Sequence, residues 1–275
     1  MFKVSPLSLG FSQVEIDLTK LFDTSKECNN FHKRFGPFIS SVISSDPLSK
    51  DIIRLDNNIL TYKTEHIIPT KDDGRKKVLF LLGNPAIHSV KTGVPFSYEN
   101  KKNGGKGEHR FWEALRVTEF IDLPFNISVE EKKKILFDLQ YKSTIRFSLD
   151  VFYTLPSTAS SKNKVAHPIQ KKSGVLQIKY LLGRKALVKI AKKETERLEN
   201  IIKTHDAVIV AQKDAYNGIK SKESPEYDGK KVKASGIETK TFNGVPLFCT
   251  PPTYLYRAAN CQNILKLFKS KIETI

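Results

Sequence analysis

Gly74-Arg75-Lys76-Lys77-Val78-Leu79-Phe80-Leu81-Leu82-Gly83-Asn84-Pro85 is the stretch on which the reading of the fold turns. A basic turn opens it, five consecutive apolar residues follow, and Gly83 closes it. A short unbroken apolar run between turn residues predicts a strand buried on both faces, as in a parallel sheet. Residues 145–153, 207–211 (AVIVA) and 245–249 have the same character.

Helical stretches separate these runs. Phe111, Trp112 and Leu115 mark one. Ser128-Val129-Glu130-Glu131 reads as a capping box that starts another, carrying Ile135, Leu136 and Leu139. Leu187, Ile190, Ala191, Leu198, Ile201 and Ile202 recur at the helical period with lysines opposite. Ala258, Ala259, Ile264, Leu265 and Phe268 make a C-terminal helix. Strands alternating with helices predict an α/β fold. The expectation is three αβα layers around a central, mainly parallel four-stranded sheet. Residues 222–244 read as a loop or a small hairpin. Ahead of the core, Phe31, Phe35, Phe38, Ile39, Val42 and Ile43 have helical spacing, interrupted by Gly36-Pro37. Residues 1–76 are therefore expected to be a helical N-terminal extension packed on the core, and residues 77–275 the α/β domain.

The 275 residues are 39% hydrophobic, which excludes a wholly disordered chain. No run reaches the roughly 18 apolar residues of a membrane span. The first residues lack the charged-then-apolar pattern of a signal peptide, so an intracellular protein is expected, cytoplasmic or nucleoid if bacterial and nuclear if eukaryotic. Cys28, Cys249 and Cys261 are too few for a disulfide framework or a four-thiolate iron–sulfur cluster. His32, His66, His109, His167 and His205 have no metal-ligand spacing. No metal or other cofactor is expected.

Forty-six Lys+Arg against twenty-nine Asp+Glu leave a net charge of +17, and residues 160–203 hold ten Lys and two Arg against three Glu. Such an excess favours a polyanion, because each phosphate neutralised releases condensed counterions. Lysine-rich solubility and an anionic membrane surface are the competing readings.

In a doubly wound sheet, ligands bind at the carboxyl ends of the strands. There Gly83-Asn84-Pro85-Ala86-Ile87-His88-Ser89-Val90-Lys91-Thr92-Gly93-Val94-Pro95-Phe96 places an amide, a proline, small turn residues and an aromatic ring. It is not a phosphate-cradling loop, since neither Gly83 nor Gly105-Lys106-Gly107 is followed by the required residues. After the fourth run comes Thr250-Pro251-Pro252-Thr253-Tyr254-Leu255-Tyr256-Arg257.

These two segments resemble the motifs of the uracil-DNA glycosylase superfamily, in its Asn-bearing branches: the mismatch-specific uracil/thymine glycosylases and the single-strand-selective uracil glycosylases. Asn84-Pro85 and Thr92-Gly93-Val94-Pro95-Phe96 match the first motif, with Gly83 directly before Asn84 where the family has an intervening residue. Arg110-Phe111-Trp112 resembles the start of the following helix, and residues 250–257 the second motif without its histidine. The resemblance spans about residues 76–265. It implies a monofunctional DNA glycosylase of base excision repair, which hydrolyses the N-glycosidic bond of uracil or a related mismatched or damaged base after flipping it. The expected partner is DNA, single- or double-stranded, and the expected state a monomer.

The resemblance also implies roles. Asn84, whose amide does not titrate, holds a water against the sugar carbon, and Thr250 stands in the second motif's catalytic position. Gly83 and Pro85 shape the base pocket, where backbone N–H groups stabilise the departing base, and Phe96 stacks on it. Asp150 either reads the base edge or is a satisfied buried carboxylate. As an acceptor only, it favours an amino-bearing edge over uracil. His88, Ser89, Lys91, Pro251, Thr253 and Arg257 lie along the DNA, and Tyr254 or Leu255 is the wedge. The alternative is a catalytically silent nucleic-acid-binding protein of the same fold.

Overall fold

A computed structural model describes residues 2–96, 109–124, 127–158 and 168–275. The elements in chain order are β1 (Phe2–Ser8), β2 (Phe11–Asp17), α1 (Leu18–Leu21), α2 (Ser25–Ser45), β3 (Ile53–Asp56), β4 (Ile59–Glu65), β5 (Lys76–Leu82), α3 (Ile87–Val90), α4 (Arg110–Val117), α5 (Val129–Phe137), β6 (Ile145–Val151), α6 (Gly174–Leu182), α7 (Arg184–Ile202), β7 (Ala207–Val210), α8 (Lys213–Ile219), α9 (Gly229–Ser235), β8 (Ile237–Lys240), β9 (Pro246–Cys249) and α10 (Ala259–Thr274). Pro47–Asp51 and Thr253–Leu255 form short 3-10 turns. The chain forms two compact units. One comprises Met1–His66, Asn84–Pro95 and Tyr153–Glu194, the other Ile67–Gly83, Phe96–Phe152 and Thr195–Ile275. The chain passes back and forth between them, and α7 contributes residues to both.

The second unit holds a five-stranded sheet in the order β6-β5-β7-β9-β8. The four apolar runs become β5, β6, β7 and β9, mutually parallel, with Val78 opposite Phe147 and Ala207, and Val208 opposite Leu247. All of β6 and β7 is buried, as is β5 from Val78 onward. Phe80 is the centre of one side, tilted against Phe147 and edge-on to Phe111 and Phe120. The fifth strand departs from the expectation of four. β8 adds antiparallel to β9, pairing Glu238 with Phe248, so residues 222–244 contain a helix and an edge strand. Expected helices form as α4, α5, α7 and α10. Ser128 Oγ accepts from Glu131 N at 3.0 Å and caps α5, satisfying one of its orphan N–H groups.

The first unit departs further. Residues 1–76, expected to be helical, contain a four-stranded antiparallel sheet, β1-β2-β4-β3, beside α2. In β2, FSQVEID, alternate side chains from Ser12 to Ile16 are buried, the period-two signature of a sheet with one wet face. Only the helical spacing of the six apolar residues survives, as α2. That helix runs through Gly36-Pro37 because Phe31, Phe35, Phe38 and Val42 are all buried on one stripe, with Phe31 and Phe35 stacked 5.3 Å apart. Packing outweighs the local helix-breaking preference.

Among the described residues, no helix is long and apolar enough to cross a membrane, and no cluster of His, Cys, Asp and Glu could hold a metal ion. Cys28, Cys249 and Cys261 are free thiols.

Candidate functional site

In the parallel sheet, β5 has β6 on one side and β7 on the other, so the chain reverses its direction of winding there. That topological switch point is where open α/β sheets bind ligands, at the carboxyl ends of the strands. Gly83 ends β5 on this edge, and Asn84 follows.

Asn84 belongs to the first unit, where it is half-buried. Its amide donates twice, from Nδ2 to Pro85 O at 2.9 Å and to Ser157 Oγ at 2.8 Å. Ser157 also clamps the loop backbone: its N donates to Pro85 O at 3.0 Å and Ile87 N donates to its carbonyl at 2.9 Å. With both amide hydrogens used, the side chain is fixed, and Oδ1 remains as an acceptor with no partner among the described residues. A methyl group on Gly174, the first residue of α6, would lie 3.6 Å from Oδ1. Ser157 stands 73 positions after Asn84, and no local signal in the sequence marks it.

Pro85 is buried, and His88 is exposed on α3. Ser89, expected on a phosphate, is instead 2% exposed and its hydroxyl faces Glu65 and Ala86 inside the unit. Lys91 is ion-paired with Asp46.

The remaining motif residues lie in the second unit. Phe96, in the left-handed region at φ 59°, stacks parallel to the His109 ring at 4.4 Å between centroids and 4° between planes. It also meets Phe111 at 5.0 Å, and Phe111 stacks on Tyr256 at 6.0 Å. Tyr256 in turn hydrogen-bonds Thr250, OH to Oγ1, at 2.8 Å. Burial pushes the Tyr256 phenol up, so it stays protonated. Phe96 and the loop after β9 are therefore joined through a column of rings. His109 adds a cap, its Nδ1 accepting from Phe111 N at 3.2 Å at the start of α4. Its stacking role was not legible in the sequence.

This geometry corrects the expected role of Thr250 and decides between the two readings of Asp150. Thr250 is 1% exposed, its hydroxyl enclosed by Tyr256, Val210 O and Pro251 O, so it presents nothing to a leaving base. Asp150 is the satisfied buried carboxylate rather than a base reader. Oδ2 accepts from Arg197 Nη1 at 2.7 Å and Oδ1 from Val151 N at 2.7 Å. A charge enclosed in the sheet requires such partners, since an unpaired one costs several kcal/mol, on the order of 3–5.

The loop after β9 keeps an outward face. Pro251 is buried, Thr253 and Leu255 are half-buried in the 3-10 turn, and Tyr254 is 60% exposed at its tip. Arg110 Nη1 donates to Tyr254 O at 2.7 Å, fixing the turn to the start of α4. Arg257 is exposed and paired with Glu113, 2.5 Å from Nε to Oε2. Of the basic run 160–203, Lys162 and Lys164 lie outside the described residues, as do residues 97–108, the loop after the first motif. Lys171, Lys179, Lys185 and Lys192 are exposed.

No protein-family model matches this chain, and no curated protein matches its sequence significantly.

Proposed function

We propose that the protein is a monofunctional DNA glycosylase, hydrolysing the N-glycosidic bond of uracil or a related mismatched or damaged base. The observation that carries this reading is Asn84, next to the residue that ends β5 at the topological switch point. Its amide is locked by Pro85 and Ser157 with a single acceptor left over. An acceptor that cannot rotate away is what positioning a water needs. The water's hydrogen bonds to Oδ1, and its oxygen attacks the sugar carbon as the bond to the base lengthens. Holding geometry rather than taking a proton is the contribution an amide can make. Phe96 is the ring assigned to stack on the base, an interaction worth about 1–3 kcal/mol, with His109 already covering one of its faces at 4.4 Å. Tyr254, exposed on a braced turn, is the wedge that fills the vacated stack. The +17 charge supplies the attraction to the phosphate backbone.

Oligonucleotides carrying uracil, thymine opposite guanine, hypoxanthine or cytosine, treated with the protein and then with alkali, test this. Alkali-labile breaks on at least one lesion that disappear in Asn84→Ala are expected. Binding without breaks on every substrate overturns the reading.

A second reading is a catalytically silent nucleic-acid-binding protein of the same fold. Its specific support is that Asp150 and Thr250 are both enclosed and engaged with protein groups.

A further inference from the structure

Glu65 closes β4 in the first unit, 1% exposed, with Oε2 buried and without a hydrogen-bond partner among the described residues. Its other oxygen, Oε1, lies 2.7 Å from Ser89 Oγ, and Ser89 Oγ lies 3.0 Å from Ala86 O. A serine has one hydroxyl hydrogen and cannot donate it to both oxygens. Both contacts are hydrogen bonds only when Glu65 is protonated: Glu65 donates to Ser89 Oγ, and Ser89 donates to Ala86 O. In the ionised form one contact is oxygen against oxygen without a hydrogen, and a buried charge is left with an orphaned atom.

The receiving carbonyl matters. Ala86 precedes α3, offers no side-chain cap, and its carbonyl also accepts from Ser89 N and Val90 N at 3.0 Å each. It lies two residues from Asn84, on the loop that Ser157 also clamps.

We propose that Glu65 is a neutral carboxylic acid acting as a positioning residue, which holds the Asn84 loop through a Glu65–Ser89–Ala86 proton-ordered relay. The role of that loop in cleavage rests on the glycosylase reading; the relay itself does not. Burial pushes the carboxyl up to about 8, and the Ser89 contact pulls it back only in part. The ionisable groups on neighbouring elements are Lys63 and His66 beside it, Glu15 and Asp17 on β2, Arg54 and Asp56 on β3, and His88 and Lys91 on or after α3. None of them sets its titration.

The test compares wild type with Glu65→Gln, Glu65→Leu and Ser89→Ala. Glutamine keeps a donor and an acceptor without a charge; leucine keeps neither. Relative to Glu65→Gln, wild type should lose up to about tenfold in its folding equilibrium per pH unit between about 4.5 and about 8, because the native state alone retains the proton there. Parallel stability curves overturn the neutral acid. Amide exchange at Ile87–Val90 should quicken in Glu65→Leu and Ser89→Ala and return to the wild-type rate in Glu65→Gln. Equal exchange in all four overturns the relay.

In single-turnover cleavage, wild type should slow above pH 8 while Glu65→Gln does not. Glu65→Leu should lose rate, with DNA affinity kept. Rates equal to wild type in both Glu65→Leu and Ser89→Ala overturn the positioning role. Should wild type cleave no substrate, the glycosylase reading fails, and stability and exchange still decide the relay.

Discussion

The two sheets of this protein are built on opposite principles. In β5 and β6 neighbouring residues are buried on both faces, whereas β2 buries every second side chain between Ser12 and Ile16 and leaves the rest half-exposed. A strand with two dry faces announces itself as an unbroken apolar run. A strand with one wet face is half polar, and FSQVEID is easily overlooked beside a run of phenylalanines at helical spacing. The contrast teaches that the parallel sheet is specified residue by residue, and the antiparallel one by periodicity alone.

The same contrast extends to buried ionisable groups. Asp150 in the parallel sheet is ion-paired with Arg197, whereas Glu65 in the antiparallel sheet has no cationic partner among the described residues.

The sharpest way to break the comparison is Arg197→Leu. It strands Asp150 with only a backbone donor, and a loss of about 3–5 kcal/mol in chemical denaturation is expected. The double variant Asp150→Asn with Arg197→Leu should recover much of that. If the single change costs under about 1 kcal/mol, the pair is not holding the sheet.

Truncation along the strands comes next. Leu79→Ala and Phe80→Ala, adjacent in β5, should each cost about 2–5 kcal/mol. In β2, Ile16→Ala should cost a similar amount, while its neighbour Glu15→Ala should stay within about 0.5 kcal/mol. Equal losses at Glu15 and Ile16 would refute the one-sided burial of that sheet.

The smallest expected effect is a pH signature. His205 is buried in the second unit, its Nδ1 2.7 Å from Ile201 O and its Nε2 without a partner among the described residues. Burial holds its pKa below the ordinary 6.5, with Arg146 adding to the same direction. A depressed basic group binds its proton more weakly in the native state, so stability should be full above about pH 6.5 and fall as pH drops through the native value. The slope is at most about 1.4 kcal/mol per unit, and it should vanish in His205→Gln. Glu65 has the opposite sign, shedding stability as pH rises. Mutating each in turn should flatten one limb of the stability profile and leave the other.

Much of the fold was legible. The four apolar runs marked the parallel strands to within two residues at either end, and the Ser128 capping box placed the start of α5, because these are local signals. The site was legible in part. Asn84 and Phe96 are half-buried and Tyr254 is exposed, so each keeps an accessible face. Ser89 and Thr250 looked equally available in sequence, and Asp150 allowed two readings, yet all three are enclosed. Burial depends on what the rest of the chain brings alongside, and no spacing rule encodes it.

By itself the sequence determined the period of each element, the excess of positive charge and the place of Asn84 at a strand end, since propensity, charge and chain direction are carried by neighbouring residues. Tertiary structure alone decided that the strands of the first unit pair in the order β1-β2-β4-β3, that Ser157 fixes the Asn84 amide from 73 residues away, and that Arg197 claims Asp150. Hydrogen bonds and buried charges must be satisfied by whatever lies within about 3 Å, and that company is chosen by packing rather than by order along the chain.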